Sequence, residues 1–194
     1  MPSASTRDDR EHQSKKSMRR REVARRVADF FIATGVADAP LRDLAAELGI
    51  SDRMLLYYFR DKAELVEAAL AEVIARFDAL SPASPQPGRR APDAVLRTAL
   101  HLLTVEAIAP YMKVWADILA RGGRSEIPFK EVSRRLVESA LTSLEAQLDV
   151  EDPAERRRVA VGILSILEGM WLLEVAAPGS TQGAADVVSV GRRG

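Results

Sequence analysis

Residues 41–59, LRDLAAELGISDRMLLYYF, constrain the local fold more tightly than any other stretch of this chain. Leu41, Leu44, Ala45 and Leu48 recur at helical spacing. Gly49 follows them, and glycine takes the left-handed backbone of a helix end without a Cβ clash. Ile50 can then pack inward, and Ser51 is a good N-cap for a second helix. That helix, about Asp52 to Phe59, buries Leu55 and Phe59 and leaves Asp52, Arg53, Met54, Tyr57 and Tyr58 largely free. Helix, short glycine-containing turn and short helix make the helix-turn-helix signature. In such a motif the first residues of the second helix meet base edges in the DNA major groove.

The flanks narrow the reading. Residues 19–34 form an earlier amphipathic segment, with Val23, Val27, Phe30 and Phe31 on one face and Gly35 at its end. Asp61-Lys62-Ala63-Glu64 has capping-box spacing and opens a longer helix over 62–80, with Leu65, Val66, Ala69, Leu70, Val73, Ile74 and Phe77 as its apolar positions. Phe31, Gly35, Asp43-Leu44-Ala45, Gly49-Ile50-Ser51, Leu55, Tyr57, Phe59 and Lys62 match the pattern of the tetracycline-repressor (TetR) family. Over about residues 19–75 the chain resembles that family of bacterial transcriptional regulators. The resemblance implies a three-helix DNA-binding module, a linking fourth helix, and a C-terminal helical domain for ligand binding and dimerisation.

The departures from the family pattern bear on what is read. The family's common threonine at the start of the first motif helix is Pro40 here, which suits a first helical turn but offers no hydroxyl to a phosphate. Arg53 and Met54 stand where small or hydroxyl residues are usual, Leu56 replaces a tyrosine, and Tyr58 replaces a histidine. Arg53 suits bidentate reading of guanine, and Met54 suits apolar contact with a thymine methyl. The expected assignment is base readout by Arg53, Met54 and Tyr57, and phosphate anchoring by Arg42, Ser51, Tyr58 and Lys62. Arg20 and Asp52 complete the DNA-binding set.

Charge agrees with this placement. The 194 residues carry 28 Lys/Arg and 28 Asp/Glu, yet residues 1–26 hold nine cations against four anions. A neutral protein with a basic end suits DNA contact at that end. Residues 1–17 lack an apolar period and are expected to be disordered. Arg7, Arg10, Lys15, Lys16, Arg19, Arg20 and Arg21 are then either an arm that follows phosphates or part of a solubilising tail.

The expected organisation is a basic arm (1–17), a helix-turn-helix domain (18–62), a connecting helix (63–80), and a proline-rich loop (81–91). An effector-binding and dimerisation domain (92–178) and a flexible tail or short final helix (179–194) follow. No stretch alternates as a strand would, so the fold class is all-α, with further helices near 92–108, 110–121, 127–149 and 152–176. Val132, Leu136, Ala140, Leu144 and Leu148 form a stripe on the penultimate helix. Asp152, Pro153 and Glu155 start the last one, followed by Val159, Ile163, Ile166, Leu167, Met170 and Leu173. Gly162 and Gly169 lie one heptad apart with Ser165 between them, and each glycine costs about 1 kcal/mol of helix propensity against alanine. That cost points to close helix approach, either within the chain or between two copies. The resemblance implies the latter, with Leu144, Gly162, Ser165, Ile166, Gly169 and Leu173 at the homodimer interface.

His101, Met112, Trp115 and Trp171 combine apolar surface with polar groups and are candidates to line a pocket for a small apolar or amphipathic effector; as core residues they would look the same. With two histidines and no cysteine, no metal cluster or Cys/His nucleophile can be assembled. No glycine-rich phosphate loop occurs, so neither an enzyme nor a cofactor is expected. The longest apolar run, Val159 to Leu167, stops at Glu168, short of the roughly 20 residues of a membrane span, and a cytoplasmic protein without membrane contact is expected. The sequence therefore reads as a homodimeric regulator on a palindromic double-stranded operator, a repressor released by its effector. An effector-independent regulator or architectural DNA-binding protein remains the alternative.

Overall fold

A computed structural model of the chain describes residues 4–36, 40–80 and 88–184. Eight α-helices occur among them: α1 (Ala4–Thr34), α2 (Leu41–Leu48), α3 (Asp52–Tyr58), α4 (Lys62–Leu80), α5 (Pro92–Leu103), α6 (Ala109–Gly123), α7 (Phe129–Gln147) and α8 (Pro153–Ala176). A 3-10 turn at Glu106–Ile108 precedes α6, and the described residues contain no strand. The protein is all-α, as its sequence leads one to expect.

The chain divides into two units. Met1–Phe77 and Pro110–Arg134 make the first, and Asp78–Ala109 and Arg135–Gly194 make the second. The sequence reading took 92–178 as one domain, whereas residues 110–134 group with the N-terminal segment. The reason is physical: α6 buries Met112, Val114 and Ile118, and its Asp117 bonds the backbone of Val36. Neither link leaves a mark on local periodicity.

In the first unit α1 packs on α2 and α3 through Val27, Ala28 and Phe31, which are fully buried together with Leu44, Leu55 and Phe59. Full burial stabilises each large apolar side chain by about 1.5–3 kcal/mol. From α4 come Leu65, Val66, Ala69, Leu70 and Val73. The helix α1 starts at Ala4, so the segment expected to be disordered is helical over 4–17. No glycine or proline interrupts residues 3–34, and Lys, Arg, Glu and Gln are good helix formers even with no face to bury. The side chains of Arg7 and Arg10 lie outside the described residues.

The second unit has its own core of Val95, Leu96, Leu100, Leu141, Leu144, Leu148, Ala160 and Ile163, where α5 packs on α8. Arg90 ties the start of this unit to the end of α7: its N–H donates to Gln147 O and its carbonyl accepts from Asp149 N–H, both at 2.8 Å. Asp152 caps α8 by accepting the Glu155 N–H at 2.8 Å, and Pro153 takes the first helical position. After Ala176 the chain turns at Gly179, whose N–H donates to Glu174 Oε1 at 2.7 Å. Any final helix beyond this falls on residues 185–194, outside the described residues.

Glu168 does not interrupt α8. Among the described residues α8 is the one helix long and apolar enough to cross a membrane by length and composition, and only 11% of its apolar window is buried within the chain. The apolar run is expected to end at Glu168, but from Val159 to Ala176 only Glu168 and Glu174 are charged, so the apolar stretch continues past Glu168.

Candidate nucleic-acid interface

Local chemistry builds the motif at α2 and α3. Gly49 ends α2 at φ +65°, with its N–H donating to Ala46 O at 3.0 Å, and Ile50 N–H returns to Ala45 O at 3.0 Å. Ser51 is extended, and its Oγ accepts the Met54 N–H at 3.2 Å. The helix α3 stops at Tyr58, one residue earlier than expected. Phe59 turns to extended backbone (φ −129°), which drives its ring into the core beside Leu55.

Burying those two residues fixes the outward face of α3. Asp52, Arg53, Met54, Leu56 and Tyr57 are exposed and Tyr58 is half-buried. Tyr57 and Tyr58 meet edge to face with ring centroids 5.1 Å apart. Lys16 of α1 places its ammonium 4.5 Å from the Tyr57 ring centre. Leu56 and Lys16 thus join the exposed surface of α3. Leu56 was visible in the sequence as the outward neighbour of Leu55, whereas the proximity of Lys16 required knowing that α1 extends so far.

A polar network holds the corner between α3 and α4. Asp61 Oδ1 accepts the Glu64 N–H at 2.8 Å, and Glu64 Oε2 accepts the Arg60 N–H at 2.7 Å. The capping box is therefore present, with its return bond on the residue before the cap. Glu64 Oε1 also pairs with Arg20 at 2.7 Å, and the Arg20 guanidinium lies over the Phe59 ring at 4.9 Å. Arg20, one of the residues expected at the DNA, is directed to the α3–α4 corner, and its side chain stays 40% exposed. The Glu64 N–H and the Arg60 side chain lower the Asp61 pKa. The Arg60 N–H, followed by Arg20, lowers that of Glu64. Both carboxylates stay ionised at neutral pH and brace the α3–α4 corner.

Arg42 is exposed and contacts Asp43 at 3.2 Å, and Lys62 is half-buried at the start of α4. A short helix that presents an arginine, two long apolar side chains and a tyrosine suits a major groove about 12 Å wide. Residues 22–69 match the bacterial regulatory proteins of the tetR family. These residues carry a DNA-binding domain of the TetR type. The chain is a DNA-binding transcriptional regulator.

Over 171 residues the chain is 28% identical to the HTH-type transcriptional regulator BetI of Cronobacter sakazakii, covering 80% of this chain and 78% of that relative. Its fold resembles a transcriptional regulator from Rhodococcus sp. Rha1, with a TM-score of 0.68 at 20% identity over 88% of this chain and 92% of the other. It also resembles the multidrug binding protein EbrR complexed with imidazole, with a TM-score of 0.61 at 22% identity over 88% and 93%.

The other candidate residues fall in different places. Met112 is buried and Trp115 half-buried on α6, in the first unit. His101 is exposed on α5 and Trp171 half-buried on α8, both in the second. Within the first unit a cleft of about 750 Å³ opens among Asp29, Ile32, Thr34, Gly35, Arg76, Tyr111, Lys113 and Asp117. Arg76 and Asp29 form an ion pair at 2.5 Å along it. Of the residues placed at a dimer interface, Gly162, Ser165, Gly169 and Leu173 are exposed and Ile166 is half-buried. Leu144 is 8% exposed and belongs to the second unit's own core with residues of α5 and α8.

Proposed function

We propose that the chain is a repressor that binds a palindromic operator as a homodimer and leaves it when a small amphipathic molecule binds. The carrying observation is the uncovered face of α8. Val161, Leu172, Leu173 and Val175 are 44%, 60%, 57% and 55% exposed. A Cβ built on Gly162 or Gly169 meets nothing within 4 Å, so packing inside the chain does not call for either glycine. An apolar helix face with two small residues one heptad apart fits a second copy of itself. Isologous pairing puts two reading helices in two-fold symmetry, which a palindromic operator mirrors.

The effector reading rests on α6, which carries Met112 and Trp115 and lines the cleft with Tyr111, Lys113 and Asp117. Mixed apolar and charged walls favour an amphipathic ligand over a purely apolar one. His101 and Trp171 remain the candidates in the second unit. A ligand that binds the DNA-free state better shifts the population away from the operator.

Fluorescence anisotropy on the DNA upstream of the chain's own gene, against scrambled DNA near physiological salt, tests the reading. A preference of roughly a thousandfold or more is expected. Lys62→Ala should weaken all duplexes and flatten the salt slope by about one unit, while Arg53→Ala should relax discrimination at one operator position. Equal and weak binding to both duplexes, with neither substitution altering it, would refute the assignment of α3 as the reading helix.

A further inference from the structure

We propose that Asp117 and Arg121 are positioning residues for DNA reading, acting as a two-sided clamp on the peptide unit of Val36. This inference rests on α3 being the DNA-reading helix. The Val36 N–H donates to Asp117 Oδ2 at 2.9 Å, and Arg121 Nη1 donates to the Val36 carbonyl at 3.2 Å. Residues 117 and 121 are one helical turn apart, so both groups project from one side of α6. They engage the donor and the acceptor of a single residue, at the point where the chain has left α1 and not yet entered α2.

Three features make the clamp stiff. Gly35 sits at φ +84°, and a Cβ built there would lie 3.0 Å from Asp117 Oδ2, so the corner needs glycine for its conformation and for its clearance. Val36 is 7% exposed, which leaves little room for water to replace either bond. Arg121 is fixed in turn: its Nε donates to Glu126 Oε2 at 2.7 Å, its guanidinium lies 4.1 Å from the Phe129 ring centre, and its side chain is 15% exposed. Charge-assisted bonds held this way are stronger than neutral ones and directional.

Tightening or opening this corner changes the direction in which α2 and α3 leave α1 without altering any group on the DNA-facing surface. The expected signature is therefore a loss of sequence preference with no loss of phosphate contacts. Gly35 and Asp117 also line the cleft of the first unit, so a cleft occupant would sit against the clamp.

The test uses the full chain and a duplex that the wild-type protein selects from a randomised pool. Asp117→Leu removes the acceptor, Asp117→Asn keeps a carbonyl oxygen, and Arg121→Gln shortens the second arm. For Asp117→Leu, binding to the selected duplex should weaken about tenfold and Val36 amide exchange should accelerate by a similar factor. Scrambled-duplex affinity and salt slope should hold. Asp117→Asn should retain most of the preference, and Arg121→Gln should lose part of it. Equal loss on both duplexes would reduce the clamp to ordinary structural support, and wild-type selectivity with an opened Val36 amide would overturn the proposal. Should Asp117→Leu not fold by circular dichroism, Arg121→Gln decides, and wild-type selectivity there overturns it as well. If the wild-type protein enriches no sequence, the DNA-reading premise falls and the clamp's role falls with it.

Discussion

Gly122→Ala is the most quantitative test of how α6 meets α7. A Cβ at residue 122 would lie 2.1 Å from Ser133 Oγ, 2.6 Å from Ser133 Cβ and 3.1 Å from the Phe129 carbonyl. Carbon atoms normally approach to about 3.5–4.0 Å, so the two helices must part by roughly an ångström. Rotating the serine hydroxyl relieves the shortest contact and leaves the Cβ contact in place. Overpacking costs about 1–3 kcal/mol, and a fixed obstacle belongs at the upper end. Alanine returns about 1 kcal/mol of helix propensity. The net loss is about 1–2 kcal/mol, or roughly 2–8 °C in Tm for a chain of this size. Urea unfolding followed by Trp115 fluorescence, with Trp171 replaced by phenylalanine, reads the unit concerned. In a double-mutant cycle Ser133→Gly removes both obstructing atoms and should restore about 1 kcal/mol or more, whereas Ser133→Ala keeps the Cβ and should restore little. If alanine rescued as well as glycine, or if neither coupled to residue 122, the steric argument would be refuted.

Ser51→Ala removes the cap on α3 and should cost about 1 kcal/mol of helix stability, read as a roughly fivefold weaker anisotropy titration on operator DNA that Ser51→Asp largely restores. Leu173→Lys on the exposed face of α8 should convert dimers to monomers in sedimentation velocity without lowering helical content; an unchanged dimer would place the interface elsewhere. The acid limb of stability should include Glu64, whose pKa is lowered from an ordinary 4.5 chiefly by the Arg60 N–H and then by Arg20. A depressed folded pKa means that the contribution is complete above 4.5 and is lost as pH falls through the folded value. Urea midpoints measured against pH should thus drop more gently below 4.5 in Glu64→Gln, and identical slopes would remove Glu64 from the account.

What the sequence made legible is what depends on near neighbours. The span of α2, the left-handed Gly49, the Ser51 cap and the burial of Leu55 and Phe59 all follow from spacing and turn chemistry within twenty residues. The start of α8 at Asp152 and Pro153 was legible for the same reason. Contacts that join distant residues were not. Asp117 meets Val36 across 81 positions, Arg121 meets it across 85, and Arg20 finds Glu64 across 44. No periodicity encodes such pairings. The length of α1 was missed for a different reason: an exposed helix with no buried stripe over 4–17 resembles disorder in its composition.

The first unit is discontinuous along the chain, because residues 110–134 complete what Met1–Phe77 begins. A module of this kind cannot be transplanted at a single junction. A fragment ending after α4 would lose Asp117 and Arg121 and leave the Val36 peptide without its two side-chain partners. A chimera that exchanges the helix-turn-helix module between relatives must therefore carry α6 and the first turns of α7 along with it. Substitutions in the N-terminal module and in these distant helices are then coupled through packing, since the Val36 peptide is bonded by side chains of α6.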